Sequence, residues 1–133
     1  MMCARMMSVK PEDGTCSCSG GPKLIFACSG AADVGEIADR AARKLTKEGV
    51  GKMFCTVGIG GRVSGIMKTT ESAERILAID GCPLNCVKNS LEQAGFNKFE
   101  HLQLADLGLE KGKSPANEVN VDKVVCAARP LLK

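Results

Sequence analysis

Asp80-Gly81-Cys82-Pro83-Leu84-Asn85-Cys86 follows the apolar run Ile76-Leu77-Ala78-Ile79 and precedes Val87-Lys88-Asn89-Ser90-Leu91-Glu92-Gln93-Ala94-Gly95. The run has the length of a strand, Gly81 permits a tight turn, and Pro83 suits a first helical position, where its missing N–H would be unpaired in any case. The stretch therefore predicts a strand over about 75–80, a turn, and a helix over about 83–94 closed by Gly95, with Cys82 near the cap. Four steps along a helix are slightly more than one turn, so Cys82 and Cys86 face one small volume. Two sulfurs so placed can share a metal ion or a redox event.

Upstream, Leu24-Ile25-Phe26-Ala27 reads as a buried strand ended by Cys28-Ser29-Gly30. Val34, Ile37, Ala38, Ala41, Ala42 and Leu45 recur at helical spacing behind the acidic start Asp33/Glu36, with Arg40, Arg43, Lys44 and Lys47 toward the far end and Gly49 as terminator. Acid first and base last suits the helix dipole. Lys52-Met53-Phe54-Cys55-Thr56-Val57 predicts a second strand with Cys55 near its carboxyl end, broken by Gly58-Ile59-Gly60-Gly61. A short helix over 63–68 and a turn over 69–72 connect it to the third strand. Downstream, Lys98 to Leu104 alternates as a fourth strand, Asp106 to Asn117 is a loop by composition, and Val121, Val124, Val125 and Ala128 form a last helical stripe, started near Asn120 or Asp122 and stopped by Pro130.

This order predicts an α/β domain with three layers, a largely parallel sheet of about four strands with helices on both faces, in a Rossmann-like or flavodoxin-like order. In such a sheet the loops after the strands gather at one edge, where ligands usually bind. Cys28, Cys55, Cys82 and Cys86, from three separate segments, would meet there. Helix N-termini at that edge favour thiolate, the form that binds metal or attacks. Four thiolates make a closed tetrahedral zinc site, and three leave a position open.

Composition narrows the alternatives. The 133 residues are 44% hydrophobic and 25% charged, which is globular, and no apolar run approaches the roughly 20 residues of a membrane span. A net charge of +3 and only four aromatic residues, Phe26, Phe54, Phe96 and Phe99, argue against a nucleic-acid partner. Residues 1–22, with Pro11, Gly14, Gly20, Gly21 and Pro22, read as an irregular arm before a single metal-binding domain over 23–133. Arg5 interrupts the start, so no secretory signal is expected and the default compartment is cytoplasmic. Eight cysteines in a reducing compartment point to metal or thiol chemistry rather than disulfides.

Each candidate has a plainer counterpart. Cys55 suits packing as well as ligation, and Cys126, among Val124, Val125 and Ala127, reads as core. Cys16 and Cys18 form a C-x-C pair on the arm, able to chelate a soft metal, and with Asp80 are accessory candidates. Cys3 stays unassigned. Met1, Met2, Met6 and Met7 read as an apolar start rather than a Cu(I) site. His101, the only histidine, is expected to be structural or at the surface. Gly58-Ile59-Gly60-Gly61-Arg62 lacks both the third glycine of a dinucleotide loop and a Gly-Lys-Ser/Thr sequence. Cys28-Ser29-Gly30 lacks the arginine six residues on that a phosphatase-like loop needs, since position 34 is Val.

The Asp80-Gly81-Cys82-Pro83-x-x-Cys86 motif, Cys28-Ser29-Gly30 and the ending Leu91-Glu92-x-Ala94-Gly95 together resemble the DGC-domain proteins, named for this central Asp-Gly-Cys. The resemblance runs from about Lys23 to the C-terminus. It implies a zinc-binding domain with four chelating cysteines, here Cys28, Cys55, Cys82 and Cys86, and no established biochemical activity. The competing expectation is a thiol enzyme for redox or sulfur transfer, with Cys28 or Cys82 as nucleophile and Cys86 as resolving thiol.

Overall fold

The computed structural model describes residues 20–133, so the expectations for Cys3, Cys16, Cys18 and the N-terminal methionines, and most of the predicted arm, lie outside the described residues. The chain runs β1 (Lys23–Ala27), α1 (Asp33–Lys47), β2 (Lys52–Met53), α2 (Thr56–Gly60), α3 (Ser64–Glu71), β3 (Arg75–Asp80), α4 (Cys86–Gln93), β4 (Glu100–Gln103) and α5 (Glu118–Ala128), with 3-10 turns at Leu104–Leu107 and Arg129–Leu132. The four strands form one sheet in the order β2-β1-β3-β4. Every pairing is parallel, with Ile25 opposite both Met53 and Leu77, and Ala78 opposite His101. The expected three-layer α/β architecture is present.

The strands are apolar on both faces because both faces are covered. Ile25 and Ala27 of β1, with Leu77 and Ile79 of β3, pack under α1 and α5. Leu24 and Phe26, with Ile76 and Ala78, point the other way, against Ile59 of α2 and Val87 and Leu91 of α4. Leu102 of β4 and Leu104 just past it join the α1/α5 side, while Phe99, just before the strand, packs on the opposite side.

α1 keeps its expected polarity, with Asp33 and Glu36 in the first turn and Lys44 and Lys47 in the last, and the chain turns away through Gly49 at φ 79°. Its first residue ties the long loop down. The Asp33 carboxylate accepts N–H bonds from Val34 (2.8 Å), Gly112 (2.9 Å) and Ser114 (3.1 Å), which hold its pKa below the ordinary carboxylate value.

Five local expectations need correction. The second strand stops at Met53 instead of running to Val57. Phe54 still donates to the Ile25 carbonyl (2.8 Å), but Thr56 then spends its hydroxyl on the Ala27 carbonyl (3.1 Å) and the chain turns into α2, so Cys55 caps a helix instead of ending a strand. The glycine-rich run expected to break the chain is itself that short helix, pinned by fully buried Ile59. The next helix runs on through Glu71 rather than turning at Thr69, since Thr70 is buried and returns its hydroxyl to the Ile66 carbonyl (2.7 Å). The last helix starts at Glu118, because Asn117 accepts the Asn120 N–H (2.9 Å) as its cap. The fifth correction concerns the thiol loop and belongs to the site.

Candidate functional site

All four sheet-edge cysteines lie at the carboxyl ends of parallel strands, where the topology puts them. Cys28 directly follows β1, Cys55 is two residues past β2, Cys82 is two past β3, and Cys86 opens α4. Their thiols are free, those of Cys28 and Cys82 half-buried and those of Cys55 and Cys86 exposed.

Cys28 continues the β1/β3 ladder, its N–H bonding the Ile79 carbonyl at 3.0 Å, and its sulfur accepts the Gly81 N–H at 3.1 Å. That bond docks the thiol against the Asp-Gly-Cys turn. Burial raises the Cys28 pKa; the Gly81 N–H opposes the rise, and the charges of Asp80, Cys82 and Cys86 add to it. The electrostatics thus couple Cys28 to both cysteines of the loop. Cys55 has its own donor, with the Gly58 N–H 3.3 Å from its sulfur, and it also lines an open groove of about 560 Å³ with Arg43, Thr46, Lys47, Met53 and Phe54.

Gly81 has no room for a side chain: a Cβ there would sit 2.8 Å from the Val34 carbonyl oxygen in the first turn of α1. The turn can therefore lie flat on α1 only with glycine after Asp80. Pro83 and Leu84 are the middle of a turn closed by the Asn85 N–H on the Cys82 carbonyl (3.1 Å), so Pro83 takes a favoured turn position and not the first helical one. Helix α4 accordingly starts at Cys86, not at 83, and Asn85, in place of Cys82, is its cap residue. Asn85 is left-handed (φ 52°, ψ 47°) and gives no side-chain cap bond, a conformation that costs about 1–2 kcal/mol for most residues but less for Asn.

The cap comes from Asp80. Its carboxylate is 1% exposed and accepts the N–H groups of Val87 (2.8 Å) and Lys88 (3.0 Å), the second and third residues of α4. His101 Nε2 donates to Oδ2 of the same carboxylate at 2.9 Å. Gln103, two residues along β4, donates through Nε2 to Asn85 Oδ1 at 2.6 Å. Asp80, an accessory site candidate in the sequence, thus serves as the cap of α4, and His101 is structural, as its strand position suggested. The His101 and Gln103 contacts were missed because they depend on β4 lying beside β3, with Gln103 opposite Asp80. The available signal was that both residues share one strand face and neither is apolar.

The donor chemistry fits a soft divalent ion: sulfurs from three segments, N–H bonds to two of them that favour thiolate, and mutual repulsion around Cys28 that a cation would relieve. The side chains do not converge as they stand. Among the described residues no group of three or more His, Cys, Asp or Glu side chains is placed to hold an ion. Cys126, half-buried on α5, is on an element away from these strand ends.

The family model for the DGC domain matches residues 24–128. A curated protein of Pseudomonas aeruginosa, the "Anaerobic and virulence modulator AnvM", is 39% identical over 88 residues, 66% of this chain and 67% of that protein. No solved structure is a significant match. No helix among the described residues is long and apolar enough to cross a membrane.

Proposed function

This chain belongs to the DGC-domain family, and we propose that it is a small cytoplasmic metal-binding protein that holds zinc on Cys28, Cys55, Cys82 and Cys86. The observation that carries the proposal is the bond from the Gly81 N–H to the Cys28 sulfur (3.1 Å), which docks the thiol after β1 on the turn that bears Cys82 and leads to Cys86 after β3, at the carboxyl edge of the sheet. Burial, with the neighbouring charges of Asp80, Cys82 and Cys86, disfavours the Cys28 thiolate in the metal-free protein, and a dication reverses that balance. Bound zinc would supply charge neutralisation and a cross-link between strand ends. Cys28 and Cys82 would hold it from the half-buried side, while Cys55 and Cys86, being exposed, would swing in from their helix starts. The relative named a modulator supports a sensing or signalling use of this site over metabolic turnover. Protein purified without added zinc is expected to carry bound metal, and single Cys→Ser changes at the four positions to lose it. Metal-free protein that takes up no zinc, with all four thiols freely alkylated, would refute the proposal.

The redox reading is favoured by one observation: Cys82 and Cys86 flank a single turn, Cys86 at the exposed start of a helix. In that reaction two thiols give two electrons and two protons to a peroxide, forming a Cys82–Cys86 disulfide and releasing two waters from hydrogen peroxide, or one water and one alcohol from an organic hydroperoxide. Cys28 is a poor nucleophile for it, because burial keeps its thiol protonated. A specific disulfide after mild peroxide, reversed by a dithiol reductant, supports this second reading, and its absence rejects it.

A further inference from the structure

We propose that β4 carries a clasp for the thiol loop: His101 and Gln103 hold Asp80 and Asn85, the two ends of the segment bearing Cys82, and so fix the positions from which Cys82 and Cys86 reach a metal. The inference deepens the zinc-binding reading and rests on it for its metal readout.

A carboxylate buried as deeply as Asp80 needs donors, and its three come from two elements. The Val87 and Lys88 N–H groups decide where α4 begins and therefore that Cys86 is its first residue. The His101 ring fixes the carboxylate from the β4 side. At the other end, the left-handed backbone of Asn85 turns the chain into α4, and the Gln103 amide holds the Asn85 side chain. Both anchoring residues project from one face of one strand, two positions apart, and β4 is itself fixed to β3 by pairing from Leu77 to Asp80. The loop between the anchors thus has its ends referred to the same rigid frame. No buried side-chain polar atom among the described residues lacks a partner, so the network is complete. None of His101, Gln103 and Asn85 is a candidate ligand; they are positioning residues, and outer contacts of this kind commonly govern metal affinity as strongly as 10- to 100-fold.

A cap serving only helix stability would confine the role to Asp80 and leave Gln103 and Asn85 without effect on thiol behaviour. The test compares Q103A, N85G, their double variant, H101L and H101Q. N85G suits the left-handed backbone and so removes the clasp without threatening the turn. Zinc affinity is measured by competition with a chromophoric chelator, geometry by the absorption of the Co²⁺-substituted protein, and loop order by the rates of Cys82 and Cys86 alkylation in metal-free protein. Q103A and N85G are each expected to weaken zinc binding about tenfold, with the double variant no weaker than either because they break one bond. H101L is expected to match them, and H101Q, which keeps a donor, to recover most of the loss. Faster alkylation of half-buried Cys82 in the metal-free variants is expected alongside. Unchanged zinc affinity, Co²⁺ spectrum and alkylation rates in variants that melt like wild type would overturn the clasp. If wild type itself takes no metal, the zinc reading fails separately, and the alkylation rates alone decide the clasp: faster in the variants supports it, unchanged rejects it.

Discussion

Replacing Asp80 by alanine removes the acceptor of three hydrogen bonds from a site that water does not reach. Loss of a helix cap costs about 1 kcal/mol. Val87 is fully buried, and its stranded N–H adds about 1–3 kcal/mol. The Lys88 N–H and the His101 ring are less deeply placed and can turn to solvent, so they add little. The expected destabilisation is therefore about 2–4 kcal/mol, or roughly 8–16 °C in Tm for a domain of this size. Asp80→Asn keeps one acceptor for Val87 and loses the charge, so about 1–2 kcal/mol is expected. Urea denaturation followed by far-ultraviolet circular dichroism on metal-free protein measures both. A D80A variant within about 0.5 kcal/mol of wild type would refute the assignment of Asp80 as the cap of α4. An unchanged stoichiometry of bound zinc in D80N is also expected, since Asp80 positions the loop and is no ligand.

Gly81→Ala is expected to destabilise by about 1–3 kcal/mol in the same assay, because the new methyl meets a backbone carbonyl that cannot step aside; a neutral effect would mean the turn does not lie on α1. In metal-free protein at pH 8, Cys28 is expected to alkylate more slowly than exposed Cys55 and Cys86, as site-resolved mass spectrometry would show. Because folding raises the Cys28 pKa, its contribution to metal-free stability is complete below the ordinary thiol value of 9.0 and is lost as pH rises toward the folded value, so denaturation midpoints should fall above about pH 9. For Asp33 the sign is opposite. Its depressed pKa makes the tie to the 112–114 loop complete above the ordinary value of 3.8 and lost as pH falls through the folded one, so the Gly112 and Ser114 amide resonances should titrate with a midpoint below 3.8. A midpoint at or above 3.8 would contradict it.

The fold was legible because its signals are repetitive. Ile25 and Leu24 point to opposite faces and both are fully buried, so a short uninterrupted apolar run could be read as a strand covered on both sides. α1 declared itself through period, charge polarity and Gly49 at once. Boundaries failed where one side chain outweighed the local pattern. Pro83 fits a helix start and a turn equally well, and the distant Asp80 carboxylate, seven and eight residues from the groups it caps, decided for the turn. Cys55 sat in an apolar run that looked like strand until Thr56 diverted its hydroxyl to β1. Of the candidate site, the placement of four cysteines at one sheet edge followed from topology alone. The contribution of β4 did not, because neither His101 nor Gln103 carries a spacing signal toward Asp80 or Asn85; only the β3/β4 register makes them neighbours.

A zinc site at this sheet edge requires the four strand-end thiols to act together on one ion. Alkylation of Cys28, Cys55, Cys82 and Cys86, resolved by mass spectrometry with and without one equivalent of zinc, tests this directly. Simultaneous protection of all four by a single equivalent is the predicted result, including Cys55 and Cys86, which are exposed among the described residues. Alkylation of the exposed pair at the same rate with and without zinc would contradict it.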